Sequence, residues 1–264
     1  EGLAICRALS GNAGSFRWSS NAMDVVGFGH LDAYVNAWTY RGLRNAAALF
    51  GELNRRALAE ECRNRAAALK RAFPKFLVNP KTGWVAGWRS RDGELHDYAF
   101  TWVNGPACAF GLLDPPAARR ALLNLEKLRE KVGAGSGVCG LPFNLLPIRR
   151  DDHMLPRIFE QTMPTFEMYT DGAKAACAAP YYLRALSICG LKDRARKLAR
   201  ELDEGYAAGL WCGGTGSGVE FRCWDGVPSG YEGTFVGSFS ALYGIAIEQG
   251  VIQPPDPEWW PPGG

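Results

Sequence analysis

Histidine is scarce. Three occur in 264 residues, His30, His96 and His153, far apart along the chain. That spread argues against a histidine metal centre. No CxxC pair occurs, so no zinc site, and no metal or cofactor of any kind, is expected. No G-x-S-x-G nucleophile elbow is present. The glycine run "GGTGSG" lacks the lysine and helix that a phosphate loop needs. No apolar run reaches membrane-span length, because Gly, Pro or a charge interrupts each one. A strong excess of one charge is also missing. The net charge is +3, and clusters such as "RNRAAALKRAF" and "KDRARKLAR" fall at helical spacing beside apolar residues. They read as solvated helix faces, so nucleic acid is not an expected partner. The chain opens on Glu1 with no basic-then-apolar leader. The expectation is a processed protein or a piece of a longer one, with cytoplasm or an organelle ahead of secretion and the compartment otherwise open.

What is present is mostly helical. Apolar residues recur at three- and four-residue spacing from Leu31 to Phe50, and Gly51 stops the run. Asn54 is expected to cap a second helix closed by Pro74. Further helices are expected at about 100–112, at 117–132 after the cap Asp114, from just after Asp171-Gly172 to Cys189, at 192–205 and at 234–249. Residues 79–95 alternate and turn like a short β-hairpin or a long loop. Residues 133–170 read as a long irregular stretch, residues 209–233 as loop or hairpin, and "PPDPEWWPPGG" as an extended tail. Cys62, Cys108, Cys177 and Cys189 occupy apolar helical positions, where cysteine behaves as a small core residue. Cys212 and Cys223 bracket a glycine-rich loop and could form a disulfide or stay free. The helices pair through tight glycine turns, and a long loop precedes each pair. Loops of that length inside a compact domain tend to be functional, so a face on which they all open would be the working surface.

The stretch "MDVVGFGHLDAYVNAWTYRGLRNAA" resembles the six-hairpin, (α/α)6-barrel glycosidases, among them glycogen-debranching glucosidases, trehalases and processing glucosidases. In those enzymes a loop carrying an Asp precedes a helix that Asp32, Asn36, Ala37, Tyr40 and Leu43 match here. "TGWVAGWRSRDGELHDYAF", "GLPFNLLPI", "YTDGAKAACAAPYYLRAL" and "YEGTFVGSFSALYGI" resemble later parts of the same barrel. The likeness covers about residues 18–250. It implies an all-α helical-hairpin toroid with short β-hairpin inserts, a single domain over 1–264. A full barrel has twelve helices and the pattern here accounts for about seven. The implied toroid is therefore partial: the C-terminal part of a longer barrel, or one completed by another chain. Seven residues separate Asp24 from Asp32. That spacing is shorter than in most relatives.

The resemblance implies glycoside hydrolysis, which uses one protonated and one ionised carboxyl group on either side of the bond. Asp24 stands where these enzymes keep the general acid, among Trp18, Val25, Val26 and Phe28. Apolar neighbours raise a carboxyl pKa, as an acid catalyst requires. Asp24 could equally cap a turn, and Asp32 is a second candidate for the acid. Glu232, between glycines before the last helix, is the expected base of an inverting mechanism, ahead of Asp225 and Glu220. Asp32 and Asn36, four apart on one helical face, could hold sugar hydroxyls, as could Asp97, Asp171 and Asp225. Each could instead be a cap or a turn residue. Of nine tryptophans, Trp18, Trp88, Trp102 and Trp224 fall in the motif loops or at helix starts, where rings can stack on sugar faces or simply fill a core. Two other functions fit the same pattern. One is a non-catalytic carbohydrate-binding or structural subunit. The other is an epimerase or lyase using His30, His96 or Tyr231 as proton carriers.

Overall fold

The computed structural model describes residues 2–5, 26–153, 166–211, 219–232 and 236–253. Among these the chain is mainly helical, with two small antiparallel sheets. Seven α-helices are present: α1 (Ala33–Glu52), α2 (Arg56–Leu77), α3 (Thr101–Ala109), α4 (Pro115–Lys131), α5 (Ala179–Ile188), α6 (Lys192–Ala207) and α7 (Val236–Glu248). The first sheet joins β1 (Leu31–Asp32), β2 (Trp88–Arg89) and β3 (Leu95–His96) in that order. The second joins β4 (Leu141–Pro142), β5 (Lys174–Ala175), β6 (Val219–Arg222) and β7 (Pro228–Glu232).

The odd-numbered helices form an inner row. α1 packs on α3, α3 on α5 and α5 on α7, while α2, α4 and α6 lie against that row. The sequence supports this division. Every residue of α3 is buried, whereas α6 buries only Ala195, Leu198, Ala199, Leu202 and Gly205 and turns its charges to solvent. Two glycines allow the inner helices to close on one another. A Cβ on Gly105 would meet the Tyr182 backbone at 2.8 Å, and one on Gly244 would meet Pro180 at 3.1 Å.

Several boundaries differ from the sequence reading for local reasons. α2 runs through Pro74 to Leu77, because Phe73 and Leu77 are buried core residues and Pro74 sits in the last turn. Asn54 is not its cap; it takes the left-handed conformation (φ 55°) in the turn between α1 and α2, and Arg55 precedes the helix. α5 begins at Ala179, since Lys174 and Ala175 are drawn into the second sheet and Pro180 favours a helix start. Asp114 caps α4 as expected, accepting the Ala117 N–H at 2.7 Å. The stretches read as hairpin or loop at 79–95 and 209–233 hold β2–β3 and β6–β7, joined into larger sheets. Cys223 is a free thiol; Cys212, across the same glycine-rich loop, lies outside the described residues, as does the proline-rich tail.

Candidate functional site

The two sheets lie over one end of the inner row. β1 runs directly into α1, and β3, β5 and β7 precede α3, α5 and α7 within a few residues. The Ala33 N–H donates to Gly87 O at 2.9 Å, tying the start of α1 to the first sheet. The Thr101 N–H donates to Phe143 O at 2.9 Å and its hydroxyl donates to Pro142 O, tying the start of α3 to the second. The N-termini of α1, α3, α5 and α7 therefore gather at this strand-capped end. Backbone strain gathers there too. Ala99 (φ 56°), Glu167 (φ 77°) and Tyr169 (φ 45°) take left-handed conformations in loops that precede α3 and α5. Such residues persist where the surroundings over-determine them, and they concentrate at functional sites.

Asp32 caps α1 and is wholly buried. Its Oδ1 accepts the Val35 N–H at 3.0 Å, while its Oδ2 has no hydrogen-bond partner. Burial pushes its carboxyl up to about 7, against the opposing pull of the Val35 and Tyr34 N–H groups. Asn36, one turn on, donates to Asp32 O at 2.8 Å and exchanges two hydrogen bonds with the Ala4 backbone. Its amide thus clips the segment 2–5 onto α1.

Asp171 is buried against the loop from Asn144 to Ile148. Its Oδ1 accepts from Asn144 Nδ2 at 2.9 Å and from the Ile148 N–H at 3.1 Å, and its Oδ2 lies 3.9 Å from His153 Nε2. Burial pushes this carboxyl up to about 6, with Asn144 and Ile148 opposing. Burial also pushes the neighbouring His153 down. Trp224 joins this group by donating its indole N–H to Gly172 O at 2.6 Å. Asp97 stands apart. It accepts from Trp84 Nε1 (2.8 Å), Asn79 Nδ2 (2.7 Å) and the Ala99 N–H (3.0 Å), which steadies the left-handed Ala99. Asp225 is exposed in the β6–β7 turn, where it accepts the Val227 N–H at 3.0 Å.

Aromatic rings run between these groups. Phe28 lies 4.8 Å from Trp88, 5.0 Å from Phe100 and 5.5 Å from Trp102. Tyr34 lies 4.1 Å from Trp102, and Trp102 lies 5.5 Å from Phe143. Trp88 is wholly buried, stacked at 4.4 Å on His96. The Trp102 indole N–H is buried without a partner. Of the remaining candidates, Trp18 and Asp24 lie outside the described residues. Glu232 ends β7 opposite Val219.

A polar cluster that sequence reasoning missed lies under the first sheet. His96 Nδ1 is 2.8 Å from Asp152 Oδ2, and His96 Nε2 is 2.8 Å from Ser90 Oγ. Tyr98 donates its hydroxyl to Asp152, and Arg149 bridges Asp152 (3.1 Å) and Glu94 (2.7 Å). These bonds hold down Asp152, whose backbone oxygen accepts the Gly27 N–H at 2.8 Å. The run "RRDDH" was the available signal, a dense charge cluster inside an otherwise irregular stretch. Asp92, Glu94 and His96 also bring one ligand atom each within 4.8 Å of one another. His96 is already engaged by Ser90 and Asp152, and the Arg149 guanidinium beside it opposes a cation.

No protein-family model matches the chain, and no curated protein matches it. Solved structures do. A GH63 mannosylglycerate hydrolase from Thermus thermophilus in complex with glucose matches with a TM-score of 0.54 at 19% identity, over 81% of this chain and 47% of that one. A sialidase structure matches at 0.59 and 13% identity, over 88% of this chain and 20% of that one. A D-mannose isomerase matches at 0.53 and 13% identity, over 88% and 59%. The chain thus spans from a fifth to about three fifths of the length of these proteins. Identities this low speak for fold alone, and they agree on it: the inner row and its flanking helices share the fold of these solved structures.

Proposed function

We propose that this chain hydrolyses glycosidic bonds with inversion, with Asp24 as general acid and Glu232 as general base. The observation that carries the reading is the strand-capped end. Buried carboxylates, unpaired polar atoms and a continuous layer of aromatic rings converge there, on a fold shared with a glycoside hydrolase that holds glucose. Asp32, Asn36, Asp97, Asp171, Asp225, Trp18, Trp88, Trp102 and Trp224 are the proposed walls of the sugar site. Those already engaged within the protein act by holding the walls in place, and the unpaired ones meet the sugar. The substrate is an oligosaccharide or simple glycoside. We further read residues 1–264 as a single toroid domain, the C-terminal part of an (α/α)6 barrel whose remaining hairpins come from a further segment or another chain. The match to under half of the hydrolase's length supports this, as do Leu242 and Tyr243 on α7, which stay partly exposed although that helix belongs to the inner row. No described helix is long and apolar enough to cross a membrane.

A second reading has a specific observation behind it. His153 beside Asp171, on a fold shared with a D-mannose isomerase, suits proton transfer on a free sugar. The test is a comparison of nitrophenyl glycoside hydrolysis with isomerisation of free mannose. On the hydrolase reading Asp24→Asn loses glycoside hydrolysis by roughly a hundredfold or more and His30→Ala does not. Mannose isomerisation without hydrolysis would select the second reading. A folded chain that does neither, yet binds sugars, would be a carbohydrate-binding subunit.

A further inference from the structure

Asp152 and His153 sit where three parts of the strand-capped end meet. His153 Nε2 lies 3.9 Å from Asp171 Oδ2. The Asp152 side chain takes up the polar cluster under the first sheet. Its Oδ2 lies 2.8 Å from His96 Nδ1 and 3.1 Å from Arg149 Nη2, and it accepts the Tyr98 hydroxyl. The backbone of the same two residues holds the chain that leads into α1. The Gly27 N–H donates to Asp152 O at 2.8 Å, and Val26 forms an antiparallel bridge with His153. Val26 and Phe28, on either side of Gly27, are wholly buried.

The network behind Asp152 is built to hold. His96 Nε2 lies 2.8 Å from Ser90 Oγ, and the Ser90 hydroxyl also reaches Asp92. Glu94 grips Arg149 at 2.7 Å. Ser90, His96 and Asp152 have the connectivity of a nucleophilic triad, but Ser90 is 2% exposed and admits no substrate. The network therefore acts through what Asp152 holds. Burial alone would raise the Asp152 carboxyl, yet the bonds from His96, Tyr98 and Arg149 keep it below its ordinary value. It stays ionised across neutral pH, and its hydrogen bonds are of the stronger, charge-assisted kind.

What this anchor holds lies next to the proposed chemistry. Asp24 stands three residues before Gly27 in the sequence, and so short a tether leaves little slack. A general acid must come within hydrogen-bond distance of the leaving oxygen, and a displacement of about 1 Å lowers the rate by as much as a hundredfold. We propose that Asp152 is a positioning residue for the general acid. Clamped by His96, Tyr98 and Arg149, it fixes the backbone at Gly27 and through it the aim of Asp24 at the leaving group. This rests on the hydrolase reading above and adds to it a group that acts without touching the sugar.

The test compares two leaving groups on the full chain. A phenyl glycoside needs a proton on its departing oxygen, whereas a dinitrophenyl glycoside departs as a stable anion and needs none. Wild type, Asp24→Asn, Asp152→Asn and Tyr98→Phe are assayed on both, with melting temperatures to confirm folding. Asp152→Asn keeps the backbone oxygen and the side-chain volume while weakening the clamp. It is expected to lower kcat on the phenyl glycoside by about tenfold to a hundredfold, with KM unchanged and the dinitrophenyl rate within about twofold of wild type. Tyr98→Phe removes one hydroxyl and is expected to show the same selectivity at about threefold. If Asp152→Asn fails to fold, Tyr98→Phe decides alone. Equal loss on both glycosides, or no loss in the folded variants, overturns the positioning role, while a selective loss in Asp24→Asn still upholds the hydrolase reading. If Asp24→Asn hydrolyses both glycosides as wild type does, or wild type hydrolyses neither, the general-acid reading fails and the positioning role falls with it.

Discussion

The chain buries carboxyl groups in two quite different ways. Between α4, α5 and α6, Glu126 is 2% exposed, and both of its oxygens are fully engaged. Oε1 accepts from Arg129 Nε at 3.0 Å and the Tyr182 hydroxyl at 2.9 Å; Oε2 accepts from Arg129 at 3.0 Å and Arg194 at 3.3 Å. Burial alone would raise its pKa, but the Arg129 charge and these bonds hold it below its ordinary value. At the strand-capped end, Asp32 and Asp171 are as deeply buried, and no lysine or arginine among the described residues pairs with them. Their carboxyls sit at about 7 and about 6. Burial of a charge is therefore not what distinguishes the two regions. Completeness of pairing is. At Glu126 the chain supplies every partner; where we place the chemistry, it leaves carboxyl groups whose proton is loosely decided near neutral pH.

That contrast can be broken in several ways. The largest effect belongs to the proposed catalysts. Asp24→Asn and Glu232→Gln should each lower glycoside hydrolysis by roughly 10²- to 10⁴-fold with little change in melting temperature. Glu126→Ala should do the reverse. It strands Arg129 in the interior and should cost roughly 3–5 kcal/mol in urea unfolding, while the folded fraction keeps its activity. The pH dependence of stability should then separate the two kinds of carboxyl. Asp32 has a folded pKa raised from 3.8 to about 7, so its contribution is fully present below 3.8 and lost as pH rises to about 7. Asp32→Asn should therefore match wild type near pH 4 and exceed it by on the order of 4 kcal/mol at about pH 8. Glu126 has a folded pKa below its ordinary 4.5, so its contribution holds above that value and fades as pH falls through the lower one. Glu126→Gln should accordingly lose its disadvantage only in acid. The smallest effect is expected at Asp97, whose role in the described structure is to hold its loop. Trp84→Phe removes one of its hydrogen bonds and should cost about 1 kcal/mol by thermal melting.

Much of the frame was legible because it rests on local rules. The apolar spacing of α1, the Asp114 cap of α4 and the glycine turns between paired helices each mark their own element. The strands before the inner helices were harder to see. Lys174–Ala175 and Leu141–Pro142 are two residues long, and their pairing is set by tertiary contact rather than by any alternation in sequence. The same holds for the site. Asp32 stood out because a carboxylate at a helix start has a spacing signature, and Asp171 because it precedes a glycine. Asp152 and His153 did not, because their partners His96 and Asp171 come from 56 residues earlier and 18 later, and only the fold brings them together.

The most direct test of the central claim is the anomer first released from a glycoside, followed by proton NMR before mutarotation sets in. The proposed inverting mechanism predicts release of the sugar with the configuration opposite to that of the substrate. That signal should disappear in Asp24→Asn and Glu232→Gln. Release with retained configuration would contradict the mechanism. Unchanged release in both variants would move the chemistry away from these residues altogether.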